Sequence, residues 1–190
     1  RIVQLHPDAR NVGVLRQMDP QPDGLRLAGH FAAHTDVDPW QPWNTCIRLG
    51  TLPDEQIGAA TIADLDLETD LVVLTGCSTA GSEVLGGEGM IGLAGAFLAA
   101  GTPTVIATLW PVDDAAAVHV TASLYEGLAD GLTIDAALER ARNECRSTPG
   151  LAAPKHWAGF VLIGDGTAVL PVRGRRPTWP LAAPLLLAAA

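Results

Sequence analysis

Leu71-Val72-Val73-Leu74-Thr75-Gly76-Cys77-Ser78-Thr79-Ala80-Gly81 is an unbroken apolar run that ends abruptly in a cysteine. Four consecutive branched aliphatics between Asp70 and Gly76 suit a strand buried on both faces, as in a parallel sheet covered by helices. Cys77 then follows the carboxyl end of that strand, where open α/β sheets place their reaction sites. The residues after it, among them Ser78, Thr79, Gly81, Ser82, Gly86, Gly87 and Gly89, are small, so backbone or substrate can approach the sulfur closely. The same position also suits a small apolar residue closing a strand, the ordinary place of a free cysteine.

Working outward from this strand, helix and strand signals alternate. Met90 to Ala100 carries Met90, Leu93, Ala94, Phe97 and Leu98 at helical spacing, and Thr104 to Leu109 is the next apolar strand. Asp113 or Asp114 opens a helix that Gly131 stops, and Thr133 is a natural cap for another, with Cys145 on its apolar face. Trp157 to Ile163 is a last strand. This alternation predicts an α/β fold with a parallel sheet and helices on both faces. Upstream, Leu25 to Phe31 reads as a strand, Cys46 to Gly50 as a short strand and Glu55 to Ala63 as a short helix, with Trp40 to Trp43 irregular. Ile2 to Leu5 and Val12 to Leu15 are further strand-like runs. We divide the chain into an edge segment at 1–24 continuing from a longer upstream region, a domain at 25–170 and a Pro/Ala-rich tail at 171–190. The apolar end of that tail is shorter than the roughly 20 residues that span a bilayer.

The chain has 190 residues, is 48% hydrophobic and carries a formal net charge of -9, enough for one core and opposed to nucleic-acid or anionic-membrane partners. Arg140, Arg142 and Arg146 read as a solvated helix face. Cys46, Cys77 and Cys145 form no close doublets of the kind structural zinc needs, so a reduced, cytoplasmic protein is expected. His30 and His34, four apart, would be about 13 Å apart on a strand, too far for one metal ion. Gly87-Glu88-Gly89-Met90-Ile91-Gly92 matches the dinucleotide fingerprint, but ten residues separate Cys77 from Gly87, whereas the first glycine should follow its strand directly. No cofactor is called for.

A cysteine nucleophile needs a base, and His34 stands 43 positions before Cys77 (77 − 34), enough for a crossover connection between neighbouring parallel strands. Backbone N–H groups after His34, at Thr35, and at Cys77 are candidates for binding a developing oxyanion. Six stretches then carry a resemblance: His30-Phe31-Ala32-Ala33-His34, Leu71 to Gly81, Gly87-Glu88-Gly89, Leu93 to Gly101, Leu109-Trp110-Pro111-Val112-Asp113-Asp114, and Trp157 to Gly164. Together, over residues 25 to 165, they resemble a CHAT domain, a caspase-like cysteine peptidase family related to separase.

The resemblance implies a caspase-haemoglobinase-like, mostly parallel α/β fold and a cysteine endopeptidase with His34 as general base and Cys77 as nucleophile. His30 matches the strand histidine before the base and reads as a packed structural residue. Many members have glycine after the base histidine where this chain has Thr35, a side chain able to crowd the substrate carbonyl. The rival reading is therefore a catalytically silent CHAT module serving a regulatory or protein-interaction role. Separase relatives prefer a basic residue before the scissile bond, which the chain's acidity suits, with Asp36, Glu83 and Asp113 as pocket candidates; each also reads as ordinary loop or helix-start charge. CHAT domains usually end longer chains with repeat or sensor modules, so partners are expected to be a protein or peptide substrate and such a regulatory module, upstream or in trans.

Overall fold

The computed structural model describes residues 3–4, 28–31, 35–36, 38, 41–48, 55–75 and 88–170. The strands are β1 (Val3–Gln4), β2 (Ala28–Phe31), β3 (Thr35–Asp36), β4 (Cys46–Arg48), β5 (Gln56–Gly58), β6 (Leu71–Leu74), β7 (Thr104–Thr108) and β8 (Phe160–Gly164). The helices are α1 (Ala59–Ala63), α2 (Glu88–Ala99), α3 (Asp114–Ala129) and α4 (Ile134–Ser147). Five strands form the main sheet in the order β1-β2-β6-β7-β8, and β3-β4-β5 form a small antiparallel sheet.

β6 is the centre of the main sheet, as its composition requires: all four residues are buried. Because side chains alternate across a strand, Leu71 and Val73 face one side and Val72 and Leu74 the other. Leu71, Val73 and Ile106 pack with Val120, Leu124, Ile134 and Leu138 of α3 and α4. Val72, Leu74, Val105 and Phe31 pack with Ile62 of α1 and with Leu93 and Phe97 of α2, and Ile47 of the small sheet joins them. The sheet is thus covered on both faces, which is why its central strands read as continuous apolar runs rather than alternating ones.

Strands β1, β2, β6 and β7 are parallel, but β8 runs antiparallel to β7. The run of alternating elements predicts a parallel strand here, and the pair of helices explains the difference. A single crossover helix carries the chain back to the edge where a strand began, giving a parallel neighbour. α3 and α4 pack on each other as two successive helices, so the chain returns to the edge it left and β8 starts beside the end of β7.

Other boundaries also moved. Glu55 to Ala63, expected as one helix, is strand β5 followed by α1; Gly58 pairs with Cys46 and leads into the helix, whose first N–H, from Ala59, donates to Thr45 O at 2.9 Å. Trp157 to Gly159 precede β8 rather than belonging to it, after a short 3₁₀ turn at Pro154–His156. Pro42–Asn44 is another such turn within the stretch expected to be irregular. Val12 to Leu15 and residues 171–190 lie outside the described residues. Arg140 pairs with Asp130 and Glu144, each at 2.8 Å, as a solvated arginine would. Arg142 does not fit that description, because it donates to the Phe160 carbonyl of β8, and Arg146 stands 6.0 Å over the Trp157 ring.

Candidate functional site

Parallel strands end at a common edge, so β2, β6 and β7 deliver Phe31, Leu74 and Thr108 to one side of the sheet. β8, antiparallel, begins there, with Phe160 opposite Thr108. His34, Cys77 and Glu83 lie outside the described residues; the structure describes the strands that precede the first two in the sequence. Phe31 pairs with Leu74, and Thr75 N donates to Phe31 O at 3.1 Å, extending the pairing by one rung.

His30, one position before the end of β2, is 7% exposed, and its Nε2 shares a 2.8 Å hydrogen bond with Thr75 Oγ1. Burial holds its pKa below the usual histidine value, so the ring is neutral near pH 7. Its plane stands against Tyr125 of α3, with centroids 5.7 Å apart. The Tyr125 hydroxyl is buried without a hydrogen-bond partner among the described residues, and burial pushes its pKa up. Thr75 and Tyr125 are not singled out by the sequence; the one signal for Thr75 is a hydroxyl closing a four-residue aliphatic run.

Two of the sequence motifs meet at the far side of this edge. Leu109 N donates to Gly159 O at 2.9 Å, and the Trp110 indole lies on Gly159, where any Cβ would come within 2.7 to 3.1 Å of the ring. Trp110 Nε1 donates to Lys155 O at 3.0 Å. Asp113 caps α3: its carboxylate accepts from Ala115 N at 3.0 Å and Ala116 N at 3.3 Å. Asp36 belongs instead to the small sheet and is ion-paired with Arg48 Nε at 2.6 Å. Thr35, next to His34, is buried in β3 opposite Ile47, and its hydroxyl has no partner among the described residues.

The two described thiols lie elsewhere. Cys46 is buried and donates to Gln56 Oε1 at 3.2 Å, and burial, with the Asp36 charge nearby, pushes its pKa up. Cys145 is buried in the α3–α4 core, as expected from its helix face, and burial raises its pKa also. Among the described residues, no group of three or more His, Cys, Asp or Glu side chains is arranged to hold a metal ion. No described helix is long and apolar enough to cross a membrane.

Comparison with known proteins adds a family. Tetratricopeptide repeat protein 28 of Homo sapiens is 42% identical to this chain over 107 residues, which is 56% of the chain and 4% of that protein. Its counterpart in Mus musculus is 40% identical over 107 residues, with the same shares. The matched stretch is thus a small part of these long relatives. The CHAT domain family matches residues 3–165, from the first described strand to just past the last, and on that match the chain belongs to the CHAT domain family.

Proposed function

We propose that this chain is a caspase-like cysteine endopeptidase domain, of the caspase-haemoglobinase type, in which His34 and Cys77 form the catalytic dyad. The observation that carries this reading is register. Phe31 and Leu74 are paired at the ends of neighbouring parallel strands, and in the sequence His34 and Cys77 each come three residues after them, which supports one segment supplying the base and the other the thiol. In the reaction, His34 takes the Cys77 proton and the sulfur bonds to the substrate carbonyl carbon, with backbone N–H groups of Thr35 and Cys77 receiving the oxyanion. The C–N bond then breaks as the imidazolium protonates the leaving amine, and water hydrolyses the thioester.

The raised pKa values of Cys46 and Cys145 support the reading by leaving Cys77 without a competing thiolate among the described thiols. Free thiols at Cys46 and Cys145 suit a reducing, cytoplasmic setting. The relatives' name points to tetratricopeptide repeats as the regulatory module, which would hold the domain latent. A basic residue before the scissile bond suits the net charge of -9. The second reading, a silent regulatory or interaction module, is favoured by Thr35 and by relatives named for their repeats.

The test is alkylation of the whole chain by peptidyl electrophiles bearing a basic or an acidic end residue, with modified sites mapped by mass spectrometry. Cys77 should react ahead of Cys46 and Cys145 and prefer the basic probe. His34→Ala should slow it by about 100-fold or more, the scale of lost general-base assistance. If Cys77 reacts no faster than Cys46, or if His34→Ala in folded protein leaves its rate unchanged, the silent-module reading replaces this one.

A further inference from the structure

The buried polar contact that the proposed chemistry leaves unused is His30 with Thr75. It joins the strand that leads to His34 to the strand that leads to Cys77, at the last described position of the latter. Only Gly76 stands between Thr75 and Cys77 in the sequence, so a displacement of Thr75 is passed toward the thiol across a single residue. The placement of the chain at this point depends on what holds Thr75. Two groups do so, both from β2: Phe31 O accepts from Thr75 N at 3.1 Å, and His30 Nε2 meets Thr75 Oγ1 at 2.8 Å.

The surroundings of His30 fix it in turn. Thr75 continues the face of β6 that carries Leu71 and Val73, the side covered by α3. His30 lies on that side against Tyr125, so the ring is clamped between α3 and the sheet. A backbone hydrogen bond alone fixes one atom of Thr75; a second bond to its side chain from a clamped ring also fixes rotation about the chain. We infer that His30 is a positioning residue which, through Thr75, aims the Cys77 thiol toward the base, an inference that rests on the His34–Cys77 reading.

A residue that only filled core would change stability and leave the rate of folded protein alone. The experiment measures the rate of Cys77 alkylation by a basic peptidyl electrophile in the whole chain, beside far-ultraviolet circular dichroism and thermal unfolding of each variant. His30→Ala and Thr75→Val should each slow alkylation by about 10- to 100-fold in protein that remains folded, the loss expected from a misplacement of about 1 Å. His30→Gln, whose amide nitrogen reaches the place of Nε2, and Thr75→Ser, which keeps the hydroxyl, should retain the wild-type rate. The double variant His30→Ala/Thr75→Val should be no slower than the slower single, because both remove one contact.

Wild-type rates in folded His30→Ala and Thr75→Val would overturn the inference. So would losses that multiply in the double variant, or that follow the unfolded fraction. If His30→Ala does not fold, Thr75→Val against Thr75→Ser decides alone. Cys77→Ala and His34→Ala separate the two claims: if they abolish the reaction while His30→Ala and Thr75→Val do not affect it, only the positioning role fails. If Cys77→Ala labels like wild type, the dyad reading and this inference fall together.

Discussion

Trp110 against Gly159 is a contact that leaves no room for a side chain at that position. The same is true of Gly164, the last residue of β8, whose φ of 100° lies in the left-handed region. A Cβ there would lie 2.1 Å from Pro103 O, the carbonyl that accepts from Asp165 N at 3.0 Å. Gly164→Ala combines an unfavourable backbone conformation with a clash against backbone that cannot yield. It should cost about 3 kcal/mol or more in urea unfolding; a variant within about 1 kcal/mol of wild type would show that the β7–β8 junction relaxes more easily than its geometry implies.

At the scale of elements, α3 and α4 are tied by a polar cluster as well as by their apolar seam. Ser123 Oγ of α3 donates to Glu144 Oε2 at 2.5 Å, and Arg140 Nε donates to Glu144 Oε1 at 2.8 Å. The Arg140 guanidinium first, and the Ser123 hydroxyl second, hold the Glu144 carboxyl below the usual carboxylate range. Its folded pKa is therefore lower than its unfolded one, so its contribution is complete above about pH 4.3 and is lost as pH falls through the folded value. Glu144→Gln should be less stable than wild type at pH 7 and lose less on acidification from pH 6 to pH 3. Parallel stability curves for the two proteins would mean that the cluster adds nothing to helix docking. Elsewhere, short elements were hard to read for a physical reason. A three-residue strand such as β5 has too few residues to display a period of two, and its pairing with β4, not its composition, makes it a strand.

The whole molecule is two cores on one sheet. Leu124 belongs to the α3–α4 side and Phe97 to the α1–α2 side, both almost fully buried. Leu124→Ala should cost about 2–5 kcal/mol and Phe97→Ala about 3–5 kcal/mol, from lost burial and the cavity left behind. The two cavities open on opposite faces, so the double variant should show the sum to within about 0.5 kcal/mol. Since both cores share β6 and β7, unfolding followed by tryptophan fluorescence and by circular dichroism should give one transition. Two transitions would mean that the layers are separate cooperative units.

Much of this was legible before any coordinates. A double-sided apolar run at Leu71 to Leu74 specified a buried parallel strand, because only a sheet covered on both faces accepts aliphatics at every position. The helix starts at Asp113 and Thr133 were legible from capping chemistry, although only Asp113 caps through its side chain; Thr133 bonds to Asp135 instead. The six motifs pointed to the family that the comparison confirms. What the sequence left open was everything that depends on which residues become neighbours across the sheet. The reversal of β8 follows from how α3 and α4 pack. The ion pair of Asp36 with Arg48, the indole on Gly159, and the bond between His30 and Thr75, 45 residues apart, exist only once strands are in register. Local patterns encode burial and backbone geometry, which each residue senses through its immediate neighbours. Contacts between distant residues are set by the packing of the whole chain, and in this molecule they frame the edge at which β2, β6 and β7 end.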